Sequence, residues 1–260
     1  MDRANVLGVG VHAVNLVRAA EMIDAAASRN AKGYVCVTGV HGVMEAQRNP
    51  DFKRVLDSAM LVVPDGMPTV WVGRWEGYNE MGRVFGPELM LEVCRKSVES
   101  GRTHFLYGGK PGIAEELKTN LENWFPGIQI KGTYTPPFRL LTSEEKRELQ
   151  GQLQNAAPDI IWIGLSTPKQ EQFMAEYIDS LHCKIMIGVG AAFDIHTGRV
   201  KDAPRWIKSS GLQWLHRLCQ EPSRLWKRYL VNNSGFVYCT AMQFAGFKRY
   251  ELVSPDHSSD

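Results

Sequence analysis

The fold class is decided by residues 159–171, which read DIIWIGLSTPKQE. An apolar run ends at Gly164, a turn containing Pro168 follows, and a helical pattern then continues to Ser180. A strand that is apolar on both faces needs cover on both faces. This strand–turn–helix unit therefore predicts a strand of a parallel sheet that is buried between helices.

The same alternation recurs along most of the first 200 residues. Short apolar or β-branched runs alternate with helical patterns, which is typical of an α/β protein with a doubly wound, mostly parallel, Rossmann-like sheet. The predicted strands are 34–38, 60–64, 103–107, 159–164 and 184–189, and the predicted helices are 15–28, 87–100, 111–124, 143–155 and 168–180.

From Ala203 onward the pattern is helical only, with breaks at Gly211 and Pro222. Residues 201–250 carry nine Lys or Arg residues against two Asp or Glu residues, whereas the rest of the chain carries 21 against 26. We therefore predict an α/β domain over 1–202, a basic, Trp-containing helical appendage over 203–250 and a polar, disordered tail over 251–260.

Composition excludes several classes of protein. The 260 residues carry 30 basic and 28 acidic side chains, which is not the charge of a protein that coats a polyanion. The five cysteines are widely spaced and form no C-x-x-C pair, so we expect a reducing cytoplasm, with no disulfide framework and no zinc site. The first residues do not read as a secretory signal, and no apolar stretch is long enough to span a membrane, so membrane contact is expected to be peripheral.

Ligands of doubly wound sheets bind beyond the carboxyl ends of the strands, so the turns there are the first candidates for a site. The turn VPDG at 63–66 places Asp65 at the end of an apolar strand, where partial desolvation suits a general base. An Asp-Gly pair that only shapes the turn is the alternative. The turn YGGKPG at 107–112 lets a phosphate approach backbone N–H groups around Gly109, or is a tight turn without a ligand.

Two further turns carry candidate residues. In GLSTPKQE at 164–171, Thr167 and Gln170 have the spacing of a capping box. Lys169 in the first helical turn opposes the helix dipole, which favours a bound anion such as a nucleotide diphosphate. In GVGAAFD at 188–194 the small residues before Asp194 suit either close approach of a ligand or simple chain packing.

Other chemistries fit less well. The segment GLSTP resembles a nucleophile elbow but has Pro168 in place of the second glycine, which disfavours an α/β-hydrolase. His41 and Glu45 have helical i, i+4 spacing without a third ligand, so a solvated pair is the better interpretation. No Asp-x-Asp occurs, so the usual carboxylate clasp for a metal-bound nucleotide sugar is missing, and no metal is expected.

Taken together, these turns resemble the WecG/TagA/CpsF family, glycosyltransferase family 26. The resemblance covers roughly residues 5–245. The matching segments are, in order, VPDG at 63–66, RVFGPE at 83–88, GLSTPKQE at 164–171, GVGAAFD at 188–194, APRW at 203–206, GLQWLHRL at 211–218 and EPSRLWKRYL at 221–230.

The resemblance implies a bacterial enzyme of cell-surface polysaccharide synthesis that acts in the cytoplasm, peripherally at the inner face of the cell membrane. It implies transfer of a hexose (N-acetylmannosamine, its uronic acid or glucose) from a UDP-sugar to a polyprenyl-diphosphate-linked saccharide, with inversion and without a metal or other cofactor. The residue matching the proposed base is Asp65. The expected substrate-binding residues are Thr38, Gly39, Arg83, Gly109, Lys169, Gln170, Asp194, Arg217, Arg224 and Arg228.

The sequence departs from the family pattern at Gly39, where members commonly have an asparagine, so an amide near the base is lost. In the appendage, Arg224, Lys227 and Arg228 fall on adjoining helical faces. These cations can dock on a membrane, bind a diphosphate over the active site, or form a solvated basic face. The alternative function is a non-catalytic binding module for a nucleotide sugar or lipid diphosphate. A homo-oligomer is one possible state of the protein, and the sequence does not decide it. Nucleic acid is not an expected partner, because no recognised nucleic-acid-binding motif accompanies the basic residues.

Overall fold

The computed structural model describes residues 2–252, so the predicted tail lies outside the described residues from 253 onward. The strands are β1 (Arg3–Val6), β2 (Val9–His12), β3 (Gly33–Thr38), β4 (Leu61–Pro64), β5 (Thr103–Gly108), β6 (Gln129–Tyr134), β7 (Ile160–Gly164) and β8 (Ile185–Gly188). The helices are α1 (Leu16–Ser28), α2 (Val40–Arg48), α3 (Pro50–Asp57), α4 (Met67–Trp75), α5 (Gly86–Ser100), α6 (Ile113–Trp124), α7 (Ser143–Ala156), α8 (Lys169–Tyr177), α9 (Ala192–His196), α10 (Arg205–Ser209), α11 (Gln213–Gln220) and α12 (Pro222–Phe244).

Six strands form one sheet in the order β4-β3-β8-β7-β5-β6. The pairs β3–β8, β8–β7, β7–β5 and β5–β6 are parallel, with Ile160 opposite both His104 and Ile185. Strands β4 and β8 are buried along their whole length, and Trp162 at the centre of β7 is fully buried. The apolar runs of the sequence are therefore buried strands of this sheet, and the predicted α/β, doubly wound fold with C-terminal helices is confirmed.

The five strands and five helices predicted from sequence are all present, with ends that differ by at most three residues. Sequence analysis missed three strands. The strands β1 and β2 are four residues long and form a separate antiparallel pair, joined through Leu7 and Gly8. The edge strand β6 reads QIKGTY and leaves Gln129 and Lys131 exposed, so it lacks the apolar run that marks a central strand.

The chain divides into two compact units. The first contains residues 2–15, 37–84 and 202–252 of the described chain, and the second contains residues 16–36 and 85–201. In the first unit, the long helix α12 packs along α2, and α11 packs against α12. In the second unit, α1 packs against α5, and α6 covers β5 and β6.

The segment after Ala203 is helical, as expected, and consists of α10, α11 and α12. The predicted breaks are observed: Gly211 lies between α10 and α11, and Pro222 begins α12. Within residues 2–252, no helix has both the length and the apolar character that crossing a membrane requires.

Helix α7 begins at Ser143, as predicted from the sequence. Its cap is Thr142, whose hydroxyl accepts from the Glu145 backbone N–H at 3.3 Å. The Glu145 carboxylate accepts in return from the Thr142 backbone N–H at 2.7 Å. Two N–H groups that the helix cannot satisfy are thereby bonded.

Replacing Thr142 with alanine should lower the free energy of unfolding by about 0.5–2 kcal/mol, because the cap of α7 is lost. Ser143→Ala is the matched control and should change it little, because Ser143 is the first helical residue and not the cap. Urea unfolding of both variants measures the difference. An equal loss in both variants would contradict the assignment of the cap.

Candidate functional site

The first unit holds Asp65 directly after β4, which ends at Pro64. The Asp65 backbone N–H donates to the Thr38 carbonyl oxygen at 2.9 Å, so the ends of β4 and β3 are tied together. The Val84 N–H donates to the Pro64 carbonyl oxygen at 2.8 Å, which places the Arg83 segment beside the same strand end. Thr38, Asp65 and Arg83 are thus held around one turn, and Asp65 is half-buried there.

Gly39 lies against the same turn. A Cβ atom built on Gly39 would stand 2.6 Å from the Asp65 carbonyl oxygen, closer than real Cβ atoms approach backbone. The neighbour is main chain, so no side-chain rotation can relieve the contact. The asparagine that the family pattern suggests at this position therefore has no room unless the Asp65 turn moves.

Thr38 contributes a buried hydroxyl to this turn. Its side chain is 2% exposed, and its Oγ1 has no hydrogen-bond partner among the residues that the structure describes. A buried hydroxyl without a partner carries a free-energy penalty, which a bound polar ligand would remove. Arg83 donates from Nη1 to Gln213 Oε1 at 3.0 Å, so the first residue of α11 is bonded to the Asp65 region.

Three arginines meet at the junction of α11 and α12. Glu221 joins the two helices and pairs with Arg217 at 3.6 Å and with Arg224 at 2.6 Å. Burial lowers the pKa of Arg228, and repulsion by Arg224 and Arg217 adds to that effect. The Nε of Arg217 is buried and bonded to nothing within residues 2–252. More positive charge is gathered here than Glu221 neutralises, which suits an anionic ligand.

Tyr229 connects this arginine cluster electrostatically with Asp65. Its ring makes an edge contact with Trp214 across the two helices, with 5.9 Å between the ring centres. Burial raises the pKa of the Tyr229 hydroxyl, while the charges of Arg217, Arg228 and Asp65 all act on it. The candidate base and the candidate anion site are therefore within electrostatic reach of one side chain.

The second unit holds the candidate residues of the other turns. Gln170 is 3% exposed, and its amide Nε2 donates to Glu171 Oε1 at 2.9 Å. Its Oε1 accepts from the Gly190 N–H at 3.0 Å, so the turn after β7 is bonded to the turn after β8. These contacts use one N–H and one oxygen lone pair of the Gln170 amide. The second N–H and the second lone pair remain for a ligand.

The predicted capping box between Thr167 and Gln170 is wrong. Helix α8 begins at Lys169 after Pro168, and no side chain caps it. Thr167 therefore lies one residue before the N-cap position, too early for the capping spacing to Gln170. Its hydroxyl donates to Glu171 Oε1 at 2.8 Å. Burial raises the pKa of Glu171, and its Oε2 has no partner among the described residues.

The remaining candidates of the second unit are Gly109, Asp194 and Lys169. The Gly109 N–H donates to the Gly164 carbonyl oxygen at 3.2 Å, and a Cβ on Gly109 would stand 3.5 Å from the Phe193 ring. Asp194 follows Phe193 in the first turn of α9 and is half-buried, and Lys169 is exposed at the start of α8. Hydrogen bonds thus join the turn after β7 to the turns after β5 and β8.

Sequence analysis did not single out Glu171, Glu221 or Tyr229. Glu221 had a detectable signal, because it lies four residues after Arg217 and three before Arg224 on a helical pattern. The sequence carried no such signal for Glu171 and Tyr229, because their roles depend on burial and on neighbouring side chains in the folded structure. Across residues 2–252, no group of three His, Cys, Asp or Glu side chains is arranged to hold a metal ion.

Comparison with known proteins identifies the family. The model of the glycosyl transferase WecG/TagA/CpsF family matches residues 4–250, which is nearly the whole chain. The chain belongs to this glycosyltransferase family.

Two curated relatives carry the same name, N-acetylglucosaminyldiphosphoundecaprenol N-acetyl-beta-D-mannosaminyltransferase. The Bacillus spizizenii protein is 31% identical over 72% of this chain and 70% of its own length. The Bacillus subtilis protein is 29% identical over 71% of this chain and 70% of its own length. The family match predicted from the ordered turns is therefore confirmed.

Gly39→Ala and Gly39→Asn should each lower the free energy of unfolding by about 1–3 kcal/mol, because the new Cβ overpacks the Asp65 carbonyl. Gly151→Ala is the control, because nothing lies within 4 Å of a Cβ at this helical position. It should instead raise stability by about 0.5–1 kcal/mol. Chemical denaturation measures all three. A Gly39→Asn protein of unchanged stability would show that the turn has room for a side chain.

Proposed function

We propose that this chain is an inverting, metal-independent transferase that moves a hexose from a UDP-sugar to a polyprenyl-diphosphate-linked saccharide. Asp65 is the base, and Arg217, Arg224 and Arg228 stabilise the diphosphate of the leaving UDP. The names of the two relatives favour N-acetylmannosamine as the sugar and N-acetylglucosaminyl-diphospho-undecaprenol as the acceptor. The uronic acid of N-acetylmannosamine and glucose are the other candidates for the transferred sugar.

The reaction is a single in-line displacement. The Asp65 carboxylate takes the proton of the acceptor hydroxyl, whose oxygen forms the new bond to the anomeric carbon. The bond between that carbon and the UDP oxygen breaks, and the electron pair leaves with UDP. Attack from the face opposite the leaving group inverts the anomeric configuration.

The arginine cluster is the observation that carries the proposal. Charge develops on the diphosphate as the bond to the sugar breaks, and guanidinium groups held in place stabilise that charge in the transition state. Arg217 offers a buried Nε without a partner in the described chain, and burial together with like-charge neighbours lowers the pKa of Arg228. A bound diphosphate would relieve both penalties and supply the counter-charge that Glu221 alone does not.

The same helices support peripheral attachment at the inner face of the membrane. Their exposed large apolar side chains include Trp206, Leu215, Trp226 and Leu230. The Lys227 ammonium lies over the Trp226 ring, 5.6 Å from its centre. Aromatic and basic side chains together suit the boundary between lipid headgroups and acyl chains. The lipid-linked acceptor would then be reached at the surface where it is embedded.

A binding module without catalysis is the second candidate, and Gly39 is the observation that favours it. The Asp65 turn leaves no room for the amide that family members commonly carry there. Adding a polyprenyl-diphosphate sugar to the protein and a panel of UDP-sugars separates the two functions. A transferase releases UDP, whereas a binding module binds the nucleotide and releases none.

Asp65→Asn should lower turnover by about 10²-fold or more, because a positioned base is lost while the shape of the turn is kept. UDP release with a short-chain acceptor measures turnover, and UDP affinity should stay near the wild-type value. The assay is run in excess EDTA, in which the wild type is expected to remain active. Wild-type turnover in Asp65→Asn would remove Asp65 from the mechanism, and rescue by Mg²⁺ or Mn²⁺ after inactivation by EDTA would overturn metal independence.

Arg217→Ala and Arg228→Ala should each reduce kcat/KM by about 10- to 100-fold with a water-soluble acceptor, the loss expected for a hydrogen bond to a charged group. Lys227→Ala is the matched control. It should lower activity only with an acceptor embedded in anionic liposomes, and high salt should have the same effect. Arginine variants that are defective only on liposomes would place the cluster at the membrane and not at the diphosphate.

A further inference from the structure

Asn232 is a buried polar residue at the contact between α12 and α2. Its side chain is 4% exposed and is bonded to two side chains of α2. The Arg48 guanidinium donates from Nη2 to Asn232 Oδ1 at 2.9 Å. The Asn232 Nδ2 lies 3.0 Å from Nδ1 of His41, which was expected to form a solvated pair with Glu45. Glu45 accepts from Arg48 at 3.3 Å.

Chemistry fixes the direction of every bond in this cluster. Arginine can only donate, so the atom of Asn232 that faces Arg48 must be the carbonyl oxygen. The amide nitrogen therefore faces His41 and donates to Nδ1, so the neutral imidazole carries its hydrogen on Nε2. Asparagine meets both demands. Leucine meets neither, and aspartate bonds to His41 only if the imidazole hydrogen moves to Nδ1.

These bonds reach two turns of α2 from one position on α12. His41 and Arg48 are seven residues apart, so they lie on the same face of α2, with Met44 between them. Met44 faces Gly235 of α12, where a Cβ atom would stand 3.0 Å from the Met44 methyl group. The Met44 contact at Gly235 and the paired bonds at Asn232 together favour one position of α12 along α2.

The position of Asn232 on α12 connects this contact with the arginine cluster. Arg228 precedes it by four residues and Tyr229 by three, so both lie one turn away on the same side of the helix. At the other end, His41 is two residues from Gly39, which contacts the Asp65 carbonyl. A shift of α12 along α2 would therefore move Arg228 and Tyr229 relative to Asp65.

We propose that Asn232 is a positioning residue that sets the register of α12 on α2 and thereby holds Arg228 and Tyr229 at the Asp65 turn. This inference rests on the proposed role of the arginine cluster. Buried polar groups that fix the register of two helices often contribute more to specificity than to stability. Loss of Asn232 is accordingly expected to change substrate binding and turnover more than it changes the stability of the fold.

The test uses the full chain, a UDP-sugar and a water-soluble acceptor. Asn232→Leu should lower kcat/KM by about tenfold or more, mainly through a higher KM for the UDP-sugar. Its melting temperature should fall, because Arg48 and His41 lose a partner, so kinetics are measured at a temperature at which the variant is fully folded. Hydrogen exchange of the backbone amides of 225–232 should become faster. Thr240→Val is the matched control, because Thr240 lies on the same buried face of α12 and its Oγ1 has no partner in the described chain. It should leave kinetics and exchange unchanged.

Asn232→Asp adds a readout that a simple packing role would not move. The carboxylate still accepts from Arg48, and it accepts from His41 once the imidazole hydrogen moves from Nε2 to Nδ1. Both contacts to α2 can therefore form in this variant, whereas Asn232→Leu loses both. The kcat/KM of Asn232→Asp and the hydrogen exchange of 225–232 should lie closer to wild type than those of Asn232→Leu. An Asn232→Asp protein as impaired as Asn232→Leu in both measurements would contradict the role of the paired bonds.

Arg228→Ala in the same assays separates this inference from the proposed function. A raised KM in Arg228→Ala with wild-type kinetics in Asn232→Leu overturns the positioning role and leaves the arginine site standing. Wild-type kinetics in both variants overturn the arginine site. Hydrogen exchange then decides the register: faster exchange in Asn232→Leu alone supports it, and exchange like that of Thr240→Val overturns it. Loss of activity only in proportion to loss of folded protein also overturns it.

Discussion

Three arginines lie around Glu221 where α11 meets α12, namely Arg217, Arg224 and Arg228. The repulsion between their charges is the physical constraint on which the proposed site depends. Like charges at close range destabilise a folded chain unless something anionic joins them. The junction raises this penalty by burying Arg217 Nε without a partner in the described chain. The diphosphate that we propose as the ligand would make the arrangement favourable. In this proposal the electrostatics that a transfer reaction needs are present before the substrate arrives.

The packing of α12 on α2 sets the position of the arginine charges relative to the Asp65 turn. Asn232 and Gly235 meet His41, Met44 and Arg48 along α2, the helix that follows Thr38 and Gly39. The backbone around Asp65 is held by its own bond to Thr38 and by the close approach of Gly39. A site built on such contacts tolerates little change, because a small displacement of a charged group relative to the reacting atoms has a large effect on rate.

The sequence was informative where local rules decide the structure. Apolar runs such as IIWI at 160–163 marked central strands, and Gly211 and Pro222 marked the breaks between the C-terminal helices. It was uninformative where tertiary contacts decide. Thr167 has the spacing of a cap, yet α8 begins one residue too late for it, after Pro168, and its hydroxyl bonds to Glu171. Nothing local marks Gly39 as crowded by Asp65, or Asn232 as bonded to residues almost 200 positions earlier. The turns identified the family because each short segment is a weak signal alone, whereas the whole set in a fixed order is specific for the family.

The central claim is that one displacement at the anomeric carbon, driven by Asp65 and the arginine cluster, transfers a sugar with inversion. The most direct measurement is nuclear magnetic resonance of the product formed from a UDP-sugar of α configuration and a short-chain polyprenyl-diphosphate sugar, with the released UDP quantified in the same tube. We expect a β-linked product and one equivalent of UDP for each sugar transferred. An α-linked product would contradict the single displacement, and binding of UDP-sugar without release of UDP would contradict catalysis itself.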